Sequence, residues 1–195
     1  MSTTRLEAFS DGVIAILITI MVLELKVPHG TSWEALHPTV FTLLMYVLSF
    51  IYLGIYWSNH HHMLHVTNHV NGAVLWANLH LLFWLSLVPF VTIWMGENGF
   101  TALPTSIYGV VLLAAAIAYM ILQSTIIKYE GPGSRLKAAV GSDFKGKASP
   151  LLYLTAIFLA FVQPLLADAI YVAVALMWLV PDRRIEAQLT HKTHD

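Results

Sequence analysis

The sequence predicts an all-α integral membrane protein with six transmembrane helices per subunit, and three observations predict it. Hydrophobic side chains make up 57% of the chain and charged ones only 11%, where soluble domains carry about 25% charged residues. The apolar residues fall into runs of bilayer-spanning length, separated by clusters of proline, glycine, histidine and charge. Lysine and arginine collect in alternate interruptions, as the loops on one side of a membrane would require. A formal net charge of -1 offers no basic field, so no nucleic-acid partner is expected. The absence of cysteine excludes disulfides, thiolate catalysis and zinc–cysteine sites.

Taken in order, the first span runs from Arg5 to Lys26, opened by the capping-box pattern Thr4-Arg5-Leu6-Glu7 and closed by Pro28-His29-Gly30. It reads as a retained helix, because Glu7 and Asp11 precede the apolar run and no small-residue cleavage site follows it. The second span covers Leu36–Met63. The third covers Asn71–Met95 and stops at Gly96-Glu97-Asn98-Gly99. The fourth covers Leu103–Tyr129 and stops at Glu130-Gly131-Pro132-Gly133. Residues 149–180 exceed one straight span, and Gln163-Pro164 with Asp168 reads as a tight hairpin between two short spans, 149–164 and 166–181. Residues 131–147, rich in glycine, serine and lysine, are expected as a cytoplasmic linker within a single channel-sized domain, 1–195.

With six spans, Arg5, Lys128, Arg135, Lys137, Lys145, Lys147, Arg183, Arg184 and Lys192 share one side, and Lys26 stands alone on the other. The positive-inside rule then puts both termini in the cytoplasm of a multi-pass protein of the cell's inner (plasma) membrane. The outer side carries Glu24, Glu34, Glu97 and Asp168, which would concentrate cations at any entrance there. No span has regularly spaced arginines, so steep voltage gating is not expected.

On the first helix Ile16, Ile20 and Leu23 recur at i, i+4 and i+7 and form one stripe. Thr19 lies ~60° from Ile16 on the helical wheel and is the one hydroxyl between Val13 and Leu25. On the wheel alone this stripe suits lipid contact or helix packing as well as a pore, and a threonine can back-bond to the preceding turn. The run Arg5-Leu6-Glu7-Ala8-Phe9-Ser10-Asp11-Gly12-Val13, with Ala15-Ile16 and Thr19 following, resembles the prokaryotic branch of the endolysosomal potassium channel family, whose signature is Phe-Ser-Asp on helix one. The resemblance extends over the six-span plan, Trp57 with the histidines that follow, and Trp76-Ala77-Asn78.

That resemblance implies a homotetramer in which four copies of helix one surround a central pore for potassium and other monovalent cations, without a separate pore loop and with no cofactor. It implies that Ile16, Ile20 and Leu23 form a hydrophobic gate, which can close by dewetting, and that Thr19 supplies selectivity. The segment Thr105-Ser106-Ile107-Tyr108-Gly109 superficially resembles the Thr-Val-Gly-Tyr-Gly filter of ordinary potassium channels. It fails because Ile107 replaces the central glycine and the segment opens a span.

Asp11 lies ~140° around the wheel from Ile16, so it is expected to face its own subunit. Glu7, one turn earlier, repels it, so Asp11 needs donors from elsewhere. The expected arrangement is a structural polar network of Arg5, Phe9, Ser10, Asp11, Trp57, Asn59, His61, His65, Trp76 and Asn78 that fixes the angle of helix one. The other reading of Asp11 is an ion ligand.

His60, His61, His62, His65 and His69 form a dense cluster, and His61 with His65 has metal-ligand spacing. A third ligand would have to come from His80 or a distant carboxylate, so no metal site is expected. Since imidazole titrates at about pH 6.5, the cluster could instead tune gating by pH. The sequence lacks a phosphate-cradling glycine loop, a Gly-x-Ser-x-Gly elbow and paired catalytic carboxylates, so no enzyme is expected. The competing class is a proton-coupled secondary transporter using Asp11, His61 and His80, although neither repeated halves nor a broken first helix is present.

Overall fold

The computed structural model describes residues 3–179 except positions 68 and 142. Arg183, Arg184 and Lys192, and the end of the expected sixth span, lie outside the described residues. The elements are α1 (Thr3–Leu23), α2 (Trp33–His65), α3 (Gly72–Ser86), α4 (Val88–Glu97), α5 (Ala102–Glu130), α6 (Arg135–Val140), α7 (Phe144–Leu159) and α8 (Pro164–Leu179), with one 3-10 turn at Gly131–Gly133. Every regular element described is helical, as an apolar chain in lipid requires, because helices satisfy their backbone groups internally.

Four stretches are long and apolar enough to cross a membrane: Thr3–Leu23, Thr39–His65, Gly72–Glu97 and Ala102–Gly133. The third, read from sequence as the single span Asn71–Met95, breaks at Leu87. Pro89 falls in the first turn of α4, where its missing N–H costs nothing, and it could not continue α3 without losing a hydrogen bond. α7 and α8 are 16 residues each, about 24 Å at 1.5 Å per residue. α7 starts inside the stretch read as linker. Asp143 caps it by accepting from the Gly146 amide at 3.0 Å. Pro164 opens α8 after a tight turn in which the Gln163 amide donates to the Leu159 carbonyl at 2.8 Å.

Contacts between helix ends fix an alternating direction. The start of α1 meets the end of α2 through Glu7 and His61. The end of α1 leads to Lys26, which pairs with Glu97 at the end of α4. Glu97 raises the pKa of the exposed Lys26 ammonium by hydrogen bond and by charge. Tyr171 in the middle of α8 donates to the Thr105 carbonyl near the start of α5 at 3.0 Å. Trp178 near the end of α8 donates to Ser149 near the start of α7 at 2.8 Å. Arg5, Lys128, Arg135, Lys137, Lys145 and Lys147 consequently gather at one end, and Lys26 lies at the other.

The core joins α2, α4, α5 and α8 around buried hydroxyls. Ser49 bonds Thr92 at 2.6 Å and Tyr108 at 3.0 Å, and the Tyr52 hydroxyl donates to the Tyr171 carbonyl at 2.6 Å. Such groups need partners, since an unpaired buried hydroxyl costs about 1–3 kcal/mol. Two glycines set how closely the helices pack. A Cβ on Gly96 would lie 2.5 Å from the Thr42 backbone, so α2 and α4 touch there. A Cβ on Gly109 would strike the Tyr171 hydroxyl and Ile157. This packed block holds one face of α1 and leaves the other free.

Candidate functional site: the two faces of helix α1

α1 divides sharply around its axis. Leu6, Ser10, Ile14, Leu17 and Met21 are buried against the rest of the chain. Their spacing of three and four residues is one helical face. On the opposite face Phe9 is exposed, Ile16 is 57% exposed, Ile20 41% and Leu23 81%. Arg5, Ala8, Gly12, Ala15 and Thr19 continue this exposed stripe along the helix. A Cβ added at Gly12 would meet open space within the chain. Thr19 donates its hydroxyl proton to the Ile16 carbonyl at 2.9 Å, so its oxygen lone pairs stay available outward.

The buried face is held by a directed polar chain. Asn78 Nδ2 donates to Ser10 Oγ at 3.0 Å, and Ser10 Oγ donates to the Leu6 carbonyl at 2.9 Å. Asn78 Oδ1 can only accept, so the bond of 2.7 Å to His60 Nε2 makes that nitrogen the donor. The tautomer follows from this network. All three side chains are fully buried. The chain ties α1 to α3 and α3 to α2 at a single level.

Beside it, His61 Nδ1 lies 2.6 Å from Glu7 Oε1. Trp57 and His65 stack on the His61 ring at centroid distances of 6.2 and 6.1 Å. Asp11 Oδ1 is closed off from solvent and has no hydrogen-bond partner.

Of the residues expected in one network, the structure joins Ser10 and Asn78 directly, and sets Asp11, His61, Trp57 and His65 close by. It does not bring the others in. Asn59 bonds within its own helix, its side-chain amide donating to the Ile55 carbonyl at 2.8 Å, while its backbone carbonyl accepts from the Tyr119 hydroxyl at 3.3 Å. Trp76 is 75% exposed, and Phe9 and Arg5 lie on the exposed face of α1. Arg5 makes no ion pair with Asp11 among the described residues, because the two side chains leave α1 in different directions. The residue that sequence reasoning missed is His60. Its signal was the phase of α2, whose buried positions Ser49, Tyr52, Leu53, Met63 and Leu64 put residue 60 inward and residue 61 one step around. His80 lies on the exposed side of α3 and accepts from the Trp84 indole at 3.0 Å, away from Asp11 and His61.

Comparison with known proteins follows the same helices. Residues 5–89 match the family described as endosomal/lysosomal potassium channel TMEM175. A potassium channel of Chryseobacterium sp. is 54% identical over 189 residues, 97% of this chain and 98% of that protein. A potassium channel of Chamaesiphon minutus is 32% identical over 177 residues, 83% of this chain and 85% of that protein. The crystal structure of a lysosomal potassium-selective channel TMEM175 homolog from Chamaesiphon minutus superposes with a TM-score of 0.77 at 29% identity, covering 91% of this chain and 96% of that one. With more than half of its residues shared end to end with one such channel, and the family match centred on α1 to α3, this chain belongs to the TMEM175 family.

Proposed function

We propose that this protein is a potassium-permeable channel, a homotetramer in which four copies of α1 line the pore and Ile16, Ile20 and Leu23 close it. The observation that carries this reading is the two-faced character of α1. A helix whose inner face is bonded to its own bundle, and whose outer face from Ala8 to Leu23 is apolar but for Thr19, is built to meet copies of itself. The groove beside the stripe, lined by Leu17, Ile20, Phe90 and Trp94 together with Glu24 and Glu97, offers a mainly apolar seat for a neighbouring subunit.

Rings of four branched side chains make a passage too narrow and too dry for a hydrated ion, which gives a gate with little chemical preference. Preference then falls to Thr19, whose four oxygens can replace part of the water around potassium. Both termini face the cytoplasm of the plasma membrane, by the gathering of basic residues at one end. α7 and α8 form the last two crossings, their short length accommodated by local thinning of the bilayer.

The test is purified protein in planar bilayers with potassium on one side and sodium on the other. Unitary currents reversing close to the potassium equilibrium potential are expected. Thr19→Ala is expected to move the reversal potential most of the way to zero while currents persist. Saturable exchange without unitary currents would instead make this chain a transporter.

A further inference from the structure

Glu7, Asp11 and His61 bring one ligand atom each, two carboxylate oxygens and one imidazole nitrogen, to within 4.8 Å of one another. Two carboxylates one helical turn apart repel each other. His61 Nδ1 pairs with Glu7 Oε1, and Asp11 Oδ1 stays closed off from solvent without a donor. The His61 ring is not free to turn aside, because Trp57 and His65 stack on it at interplanar angles of 26° and 22°. That stacking orients Nδ1 toward the carboxylates, as outer-shell contacts orient metal-bound histidines.

From this geometry we infer that Glu7, Asp11 and His61 form a binding site for a divalent transition-metal ion of the zinc type, which clamps α1 to α2. The donor set is one nitrogen and two oxygens, and it leaves a fourth tetrahedral position for water. Imidazole favours zinc over magnesium or calcium, which take oxygen ligands throughout. Ligand atoms around such an ion stand about 3–3.5 Å apart for bonds of about 2.0–2.1 Å, so the cluster closes slightly on binding. Glu7 and His61 are partly exposed, which gives the ion a route from the aqueous end of α1. The orphaned Asp11 oxygen gains the partner it lacks, and the like-charge repulsion becomes an attraction to a shared cation. The rival use of His61 is the pair it makes with His65 at i, i+4, which involves no carboxylate.

Zinc binding to the full-length protein in detergent, measured by isothermal titration with magnesium present in excess, needs no assumption about ion conduction. One zinc ion per subunit is expected. Glu7→Gln and His61→Gln should each weaken binding more than ~100-fold, beyond the ~10–100-fold that loss of an outer-shell contact costs. His65→Ala should weaken it less than either, since that residue orients His61 without supplying a ligand atom. Zinc-edge absorption of the unmodified protein gives a readout independent of variant folding, and should show one imidazole with oxygen ligands. No zinc binding, unchanged affinity in Glu7→Gln, a loss in His65→Ala as large as in His61→Gln, or a spectrum with two or more imidazoles would each overturn the assignment. Where binding holds, zinc on the side bearing the α1 N-terminus should reduce currents in the bilayer recording; that last effect rests on α1 being the pore helix, whereas the binding does not.

Discussion

Ile16→Asn is expected to raise unitary conductance by about tenfold and to loosen the preference for potassium. In the proposed tetramer the ring of four copies of residue 16 is dry, because nothing on a branched alkyl side chain bonds water, and an ion entering it leaves hydration behind. An amide of similar volume holds water in the constriction. Lowering the barrier by ~1.4 kcal/mol gives the tenfold change. Position 16 is open to the outside of the subunit, so the substitution leaves the internal packing intact. Ile14→Asn makes the contrasting case. Ile14 is buried against the rest of the chain, so the same chemistry there puts an unpaired amide in the core and should abolish assembly. Recordings on both variants separate a pore effect from a folding effect. Unchanged conductance in Ile16→Asn would mean that the exposed stripe faces lipid.

The second large effect is expected at Asn78. Asn78→Leu removes the acceptor for His60 Nε2–H and the donor to Ser10, and leaves a fully buried imidazole N–H unpaired. An orphaned buried donor costs about 1–3 kcal/mol, and each subunit incurs it. Ser10 still bonds the Leu6 carbonyl, so the loss centres on His60 and on the tie between α1 and α3. Thermal unfolding in detergent should show a clear fall in melting temperature, and the bilayer recording a loss of stable openings. Adding His60→Phe should recover part of the stability, because replacing both partners by apolar groups removes the orphan. A double variant no more stable than Asn78→Leu would show that side-chain volume, not the hydrogen bonds, determines the site.

The helical plan was legible because lipid allows few alternatives and the interruptions carry strong punctuation. The stripe of Ile16, Ile20 and Leu23 was legible because it depends only on the helical repeat. Which side of each helix meets a neighbour was harder to read. His60 and His61 are adjacent in sequence and lie about 100° apart on the helix, so one enters the buried chain and the other meets Glu7. Asn59, one step around the other way, bonds its side-chain amide to the Ile55 carbonyl of its own helix. Choosing among the three requires the phase of α2 against α3 and α5, which packing sets. The break at Leu87 had its signal in Pro89, but the apolar run continues past it without a change in composition. The start of α7 depends on one side-chain cap, Asp143, inside a segment whose glycine, serine and lysine content reads as a loop.

The central claim is that the exposed face of α1 lines the ion path, and the absence of native cysteine makes it directly testable. Single cysteines at positions 14, 16, 17, 19, 20, 21 and 23 can be exposed to silver ion or a thiol-reactive ammonium during bilayer recording. Irreversible block is expected at 16, 19, 20 and 23, with no block at 14, 17 and 21. Block confined to the second set, or unaltered current at all four positions of the first, would contradict it.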